Sequence, residues 1–154
     1  MKPWMQPELL AHARLLASSY ARVLGQDLLP DCEDDAEFAT RLFELPFVVV
    51  THGTEADPVL NYANQVALDL WKMDWATLTS TPSRYTAEPM HRDGRKRMLD
   101  TVTRQGYIDD YAGIRIASDG SRFRIDPATV WNLIGDDGQH YGQAATFASW
   151  TPLG

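Results

Sequence analysis

After Gly106 the apolar residues stop recurring at helical spacing and begin to alternate, and this change of period restricts the fold more than any other feature of the chain. Ile108, Ala112, Ile114 and Ile116 alternate with Tyr107, Asp109, Tyr111 and Arg115, so the segment predicts a strand with one apolar face and one polar, aromatic face. Ser118-Asp119-Gly120-Ser121 follows as a hairpin signal, because Asp-Gly readily adopts the positive φ values of a type I′ turn. Phe123, Ile125, Thr129, Trp131 and Leu133 alternate along the return strand, where Pro127 requires an edge or a bulge. Gly135-Asp136-Asp137-Gly138 turns the chain again, and residues 141–150 read as a third long strand. The carboxyl-terminal third is therefore a three-stranded antiparallel meander.

Upstream, short strands and helices mix. Residues 7–25 carry Leu9, Ala13, Leu16, Tyr20 and Val23 on one helical face, widened by Leu10, Ala17 and Leu24, between a Pro suited to the first turn and a Gly suited to the end. Such a stripe packs on the domain's own core or on a second copy of the chain, since a helix this short is marginal alone. Residues 28–33 form a linker holding Pro30 and Cys32. Asp34 and Glu37 then give a capping box for a helix that buries Phe38, Leu42 and Leu45 and stops at Pro46. Residues 47–51 are a β-branched run between Pro46 and Gly53, which reads as a buried strand, and residues 59–62 make a second, shorter one. Asn64 caps a helix through Ala67, Leu68 and Trp71, Asp74 caps one more turn at residues 75–78, and residues 79–86 are loop-like. Met98, Leu99 and Val102 mark a helix within residues 88–105. The expected division is a helical extension, residues 1–46, and a main domain, residues 47–154.

Composition removes several function classes. At 154 residues with 44% hydrophobic and 23% charged side chains, the chain fits one globular domain. Fourteen Lys and Arg against 21 Asp and Glu leave a net charge of −7, which argues against nucleic acid or an anionic membrane as the main partner. The single cysteine, Cys32, excludes an intramolecular disulfide and an all-cysteine metal cluster and fits a reducing compartment. No segment has the pattern of a secretion signal, and the longest apolar run, residues 47–50, falls far short of the ~20 residues of a membrane helix. A cytoplasmic location is expected.

Two short strands, several small helices and three long antiparallel strands resemble the element order of the PAS fold. The local sequence is similar to one branch of that group. Gly53-Thr54-Glu55-Ala56-Asp57-Pro58, Asn61-Tyr62-Ala63-Asn64, Ala67-Leu68-Asp69-Leu70-Trp71, Pro82-Ser83-Arg84, Thr86-Ala87-Glu88-Pro89, Tyr107-Ile108-Asp109-Asp110-Tyr111 and Gly113-Ile114-Arg115 resemble the MEKHLA domain. The resemblance runs from about Phe38 to Trp150. That domain is a PAS-related module found at the carboxyl end of plant homeodomain–leucine zipper proteins and as short stand-alone bacterial proteins, of which this chain looks like the latter type. The resemblance implies an α+β, PAS-like fold: a five-stranded antiparallel sheet with short helices on one face, preceded by two N-terminal helices. It implies a sensory or regulatory role and, in the plant proteins, control of dimerisation. It supplies no enzyme activity, cofactor or ligand, and these residues contain no homeodomain or zipper, so the plant role does not transfer whole.

Cys32 lies ahead of the domain, away from where a flavin photosensor of the PAS group needs its thiol. His91 is the one histidine near an element suited to an axial haem ligand, beside Arg92, Asp93 and Arg95, which suggest a solvated turn. Arg92, Arg95, Lys96 and Arg97 read as a solvated helical face, with Asp93 and Asp100 at pairing distance, or as a site for an anion or an acidic partner segment. His52, Asp57 and Ser83 are residue types of a hydrolase triad without a nucleophile elbow, and His52, His91 and His140 lack paired metal-ligand spacing, so no metal site is expected. The informative set is polar and aromatic residues on elements that should line a cup: Asn64, Trp71, Arg84, Glu88, Tyr107, Asp110, Tyr111, Arg124, Trp131, Asn132 and Gln143. Adjacent strand residues face opposite sides, so only some of them share one side. Asp110 falls on the apolar face of its strand, where a carboxylate needs a partner, and Arg84 or Arg124 is the expected one, walled by Trp71 and Trp131.

The leading expectation is a PAS-like sensory or regulatory module that binds a small molecule or a protein partner without turnover, dimerising through its N-terminal helix. Two alternatives stand beside it. One is a ketosteroid-isomerase-like enzyme moving protons with Asp109 or Asp110 and Tyr107 or Tyr111. The other is an interaction domain whose hollow is filled by its own side chains.

Overall fold

A computed structural model of the chain describes residues 2–89 and 92–153. The helices are α1 (Pro7–Leu24), α2 (Asp35–Phe43), α3 (Gln65–Trp71), α4 (Trp75–Leu78) and α5 (Arg92–Gln105), with 3-10 turns at Pro3–Met5 and Ser83–Thr86. The strands are β1 (Val48–His52), β2 (Leu60–Ala63), β3 (Tyr107–Ile116), β4 (Arg122–Ile134), β5 (His140–Phe147) and β6 (Trp150–Leu153). All pairings are antiparallel, in the order β2-β1-β5-β4-β3, with β6 also on β4.

The expected five strands are thus six segments. β3 runs along one side of β4, while β5 and then β6 share the other, so the sheet keeps five places. Pro127 explains the break. Thr129 is the first β4 residue paired with β5, and Ile125 the last paired with β6. On the opposite side the register of β3 shifts between Tyr111 and Gly113. A residue without an N–H therefore sits where both ladders are interrupted, at the bulge its position requires.

A second bulge changes what β3 presents. Ile108 pairs with Val130 and Tyr111 with Ala128, so β3 advances three residues while β4 advances two. Ile108 and Tyr111 consequently both turn inward, and Asp109 and Asp110 are pushed into solvent. The strict alternation expected for residues 107–116 is broken at this point.

Both faces of the sheet are covered. On one face α3, α4 and α5 pack over Val48, Ile125, Val130 and Phe147. On the other, α1 and α2 bury Ala13, Leu16, Tyr20, Phe38 and Leu42 against Val49, Tyr62, Trp131, Leu133 and Ala144. Trp131 is fully buried there, donates from Nε1 to the Leu16 carbonyl at 3.3 Å, and meets the Tyr20 ring edge-on at 4.9 Å. Ser19 Oγ donates to the Ile134 carbonyl and accepts from the Ile134 N–H. The apolar stripe of α1 is thus spent on the chain's own sheet, where each fully buried Leu or Ile contributes roughly 1.5–3 kcal/mol. Leu9, Leu10, Ala17, Val23 and Leu24 of the same stripe are only half-buried.

The helix ends follow local chemistry. Gly25 closes α1 at φ 71°, and Asp34 accepts from the Glu37 N–H at the start of α2. Glu37 pairs with Arg41 instead of closing the capping box. No helix among the described residues is long and apolar enough to cross a membrane.

Candidate ligand cavity

Between the sheet and the α3–α5 layer lies a cavity of about 210 Å³. Its apolar wall comes from Val50, Leu60, Trp71, Met98, Ile125, Val130, Ala145 and Phe147, and its polar margin from His52, Ser83, Thr86, Tyr111, Arg115 and Gln143. β1 supplies Val50 and His52, β4 supplies Ile125 and Val130, and β5 supplies Gln143, Ala145 and Phe147. Residues at alternate positions point into the hollow because successive strand residues face opposite sides.

Trp71 is held from two directions. The β3–β4 hairpin grips the end of α3: the Ser118 N–H donates to the Trp71 carbonyl at 2.9 Å, and Ser118 Oγ to the Lys72 carbonyl at 2.6 Å. Lys72 reaches Asp119 at 2.6 Å, and together with Ser121 it holds the Asp119 carboxyl well below the usual carboxylate range. The indole Nε1 donates to the Thr86 carbonyl at 3.3 Å, tying the helix to the 3-10 turn beside it. The Trp71 ring then meets Phe123 at 5.4 Å and Phe147 at 6.1 Å, both edge-on.

The polar margin is partly committed. His52 Nδ1 donates to the Gly53 carbonyl at 2.9 Å, and Asp57 pairs with Arg84, so the triad residue types do not assemble. Gln143 donates to Asn132 at 3.3 Å. Arg115 donates to the Tyr111 hydroxyl at 3.2 Å and to the Ile114 carbonyl at 3.4 Å. Among the described residues no Asp or Glu lines the cavity.

Outside Tyr111 and Arg115 an open, charged groove of about 520 Å³ runs past Glu88, Arg97, Asp110 and Arg124. Here the expected ion pair is corrected. Asp110 pairs with Arg97 at 2.7 Å, with both side chains 60% exposed; Arg84 goes to Asp57 and Arg124 to Asp126. The β3 bulge is the reason, since it turns Asp110 out and Tyr111 in. Glu88 pairs with Arg122. Arg95, Lys96 and Arg97 form an exposed helical face, Lys96 bonding Asp100 at 3.2 Å. His91 and the Arg92 side chain lie outside the described residues.

The two expected tryptophan walls also part: Trp71 borders the cavity, whereas Trp131 is buried on the α1 face. Its neighbour Val130 faces the cavity in its place. Asn64 is a structural amide, accepting from the Val49 and Ala67 N–H groups and donating to the Phe47 carbonyl, fully buried away from the hollow. Tyr107 joins the α1-side cluster, and Arg84 is exposed on the 3-10 turn. Of the sequence set, Trp71, Tyr111 and Gln143 line the cavity; Glu88, Asp110 and Arg124 line the outer groove; Asn132 borders a third hollow with Leu99 and His140.

A profile of the family described as MEKHLA domain matches residues 10–152. The chain belongs to the MEKHLA domain family. Similar curated proteins include the homeobox-leucine zipper proteins ATHB-9 and ATHB-14 of Arabidopsis thaliana, each 28% identical over 153 residues, and HOX10 of Oryza sativa, 25% identical over 150 residues. Each alignment covers 94% of this chain and 17–18% of the plant protein, so the MEKHLA domain spans under a fifth of those relatives. Its fold is PAS-like. It superposes on the PAS domain of a protein from Colwellia psychrerythraea with a TM-score of 0.60 at 13% identity, covering 76% of this chain and 94% of that one. It also superposes on a LOV domain from the blue-light activated histidine kinase of Erythrobacter litoralis, with a TM-score of 0.55 at 14% identity, covering 72% and 99%.

Two lining residues of this MEKHLA domain were within reach of sequence reasoning. Arg115 stands four residues beyond Tyr111 on the same polar face of β3, and His52 two beyond Val50 on β1. Cys32 packs with the α1-side cluster, on the face of the sheet opposite the cavity.

Proposed function

We propose that this MEKHLA domain is a sensory or regulatory module that holds a small molecule in the cavity between its sheet and α5, without transforming it. The observation that carries this reading is the hollow itself: mostly apolar, with a few polar groups at one margin, as small-molecule sites are commonly built. Its size supports a compact ligand. An apolar cavity of about 150 Å³ takes one benzene ring, so about 210 Å³ suits a single substituted ring better than a tricyclic flavin. The position of Cys32 on the other face also speaks against a flavin–thiol adduct. Proton transfer by an Asp–Tyr pair is disfavoured because Asp109 and Asp110 stand in solvent while Tyr111 faces inward.

Met98 of α5 and Thr86 of the 3-10 turn both touch the hollow, so occupancy bears directly on those two elements. A protein partner reading their position would receive the signal. Dimerisation through α1 has only the half-buried part of its stripe available, because Ala13, Leu16 and Tyr20 are buried on the sheet. The lone Cys32 supports a reducing, cytoplasmic setting.

Ala145→Leu tests the reading by filling the cavity from the middle of β5. Native mass spectrometry of freshly purified protein is expected to show a retained small molecule that the substituted protein lacks. A ligand retained equally by both proteins, or by neither, would overturn it.

A further inference from the structure

Arg14 and Arg115 are the half-buried arginines among the described residues, and they are treated differently. Arg14 meets Asp31 and Asp35, each at 2.9 Å. Arg115, at the rim of the apolar cavity, has no carboxylate within 4 Å among the described residues. Its bonds, 3.2 Å to the Tyr111 hydroxyl and 3.4 Å to the Ile114 carbonyl, go to neutral oxygens and are long for N–H···O contacts. A guanidinium has five N–H donors in a planar fork, so most of its capacity is unused.

The backbone makes room for this arrangement. A Cβ on Gly113 would lie 2.9 Å from the Tyr111 hydroxyl oxygen and 3.2 Å from an Arg115 terminal nitrogen, so the pair rests across a glycine. The charges of the outer groove are already matched: Glu88 with Arg122, Asp110 with Arg97, Arg124 with Asp126. Arg115 is left as a local positive charge beside an apolar hollow in a chain of net charge −7. A charge at an apolar wall is stabilised by an opposite charge with hydrogen bonds, and a carboxylate matches the guanidinium fork with two parallel bonds.

We propose that the cavity takes a small monocarboxylate with an apolar or aromatic body, its carboxylate on Arg115 and its body against Trp71, Val130 and Phe147. This rests on the reading that the cavity is a ligand site, and it names the ligand class. The Tyr111 hydroxyl, already beside the guanidinium, donates its proton to the same carboxylate.

The test uses the full chain with benzoate and its neutral isostere benzamide, binding being followed by isothermal titration calorimetry, and circular dichroism verifying that each variant is folded. The native protein is expected to prefer benzoate by at least about tenfold, as a charge-assisted bidentate pair warrants. Arg115→Gln erases that preference, weakening benzoate at least about tenfold more than benzamide, which loses only a hydrogen bond to its neutral carbonyl. Arg115→Lys, which keeps the charge and loses the fork, retains part of it. Equal binding of the two probes by the native protein, or parallel loss of both in Arg115→Gln, would overturn the carboxylate assignment while leaving the cavity a ligand site. Failure of both probes to bind would overturn the carboxylate assignment, and the ligand-site reading falls with it only where native mass spectrometry also shows no retained molecule.

Discussion

Lowering the pH from 7 to 5 is expected to destabilise the domain through one histidine on the α1 face. His12 sits between α1 and β1 with Nε2 3.0 Å from Thr51 Oγ1. The Thr51 hydroxyl gives its only proton to Asn61 Oδ1, so Nε2 is the donor to Thr51, and burial is what favours the neutral ring. Burial lowers its pKa from 6.5 to about 4. Above pH 6.5 both folded and unfolded chains carry a neutral ring, and the effect is absent. As the pH falls below 6.5 the unfolded chain takes up a proton that the folded chain refuses until about pH 4, so stability declines across that window. At pH 5 the unfolded ring is nearly all protonated and the folded one only slightly, a loss of about 2 kcal/mol relative to pH 7. The assay is urea unfolding by tryptophan fluorescence at both pH values, for the native protein and His12→Gln. Carboxylates titrate in both proteins and cancel. The stability difference between the two should move by about 2 kcal/mol toward the variant at pH 5. Parallel pH profiles would refute the argument that His12 is folded in as the neutral ring.

Two further substitutions have definite expectations. Gly142 has φ 146°, and a Cβ there would lie 2.1 Å from the His52 carbonyl oxygen of the neighbouring strand; Gly142→Ala combines backbone strain with overpacking and should cost at least about 2–3 kcal/mol, read as a large fall in melting temperature. Asp110→Ala removes an exposed pair with Arg97 and should change stability by less than about 1 kcal/mol; a loss of several kcal/mol in chemical denaturation would restore the buried carboxylate that the sequence suggests.

The division between what the sequence reveals and what it hides follows from parity. Alternation locates β3, β4 and β5, and Asn64, Asp34 and Asp74 announce their helices because an N-cap needs only a local side-chain oxygen and an N–H two or three residues on. One extra residue in β3 reverses every inference downstream of it, which is why Asp110 and Tyr111 exchange sides. Trp71 and Trp131 separate for a related reason. Helices cover both faces, so apolar residues are wanted on both, and neither composition nor period marks which face encloses the hollow. Arg115 carries a legible signal, a cation on a polar strand face four residues past a tyrosine, but its lack of an acidic partner among the described residues is a three-dimensional fact.

The two faces also differ in their packing. Where α1 meets the sheet, Leu16, Val49, Trp131 and Leu133 are wholly buried, so substitutions there act on stability. The α5 face keeps a void, and a void forfeits contacts that a filled core would make. A fold that tolerates this loss on one face needs the other well packed, which gives the α1–α2 layer a purpose beyond shielding the sheet. The two layers come close to each other at β1. β1 turns Val50 and His52 toward the hollow while Thr51, between them, holds His12 of α1. The cavity and the α1 layer thus meet β1 at adjacent residues.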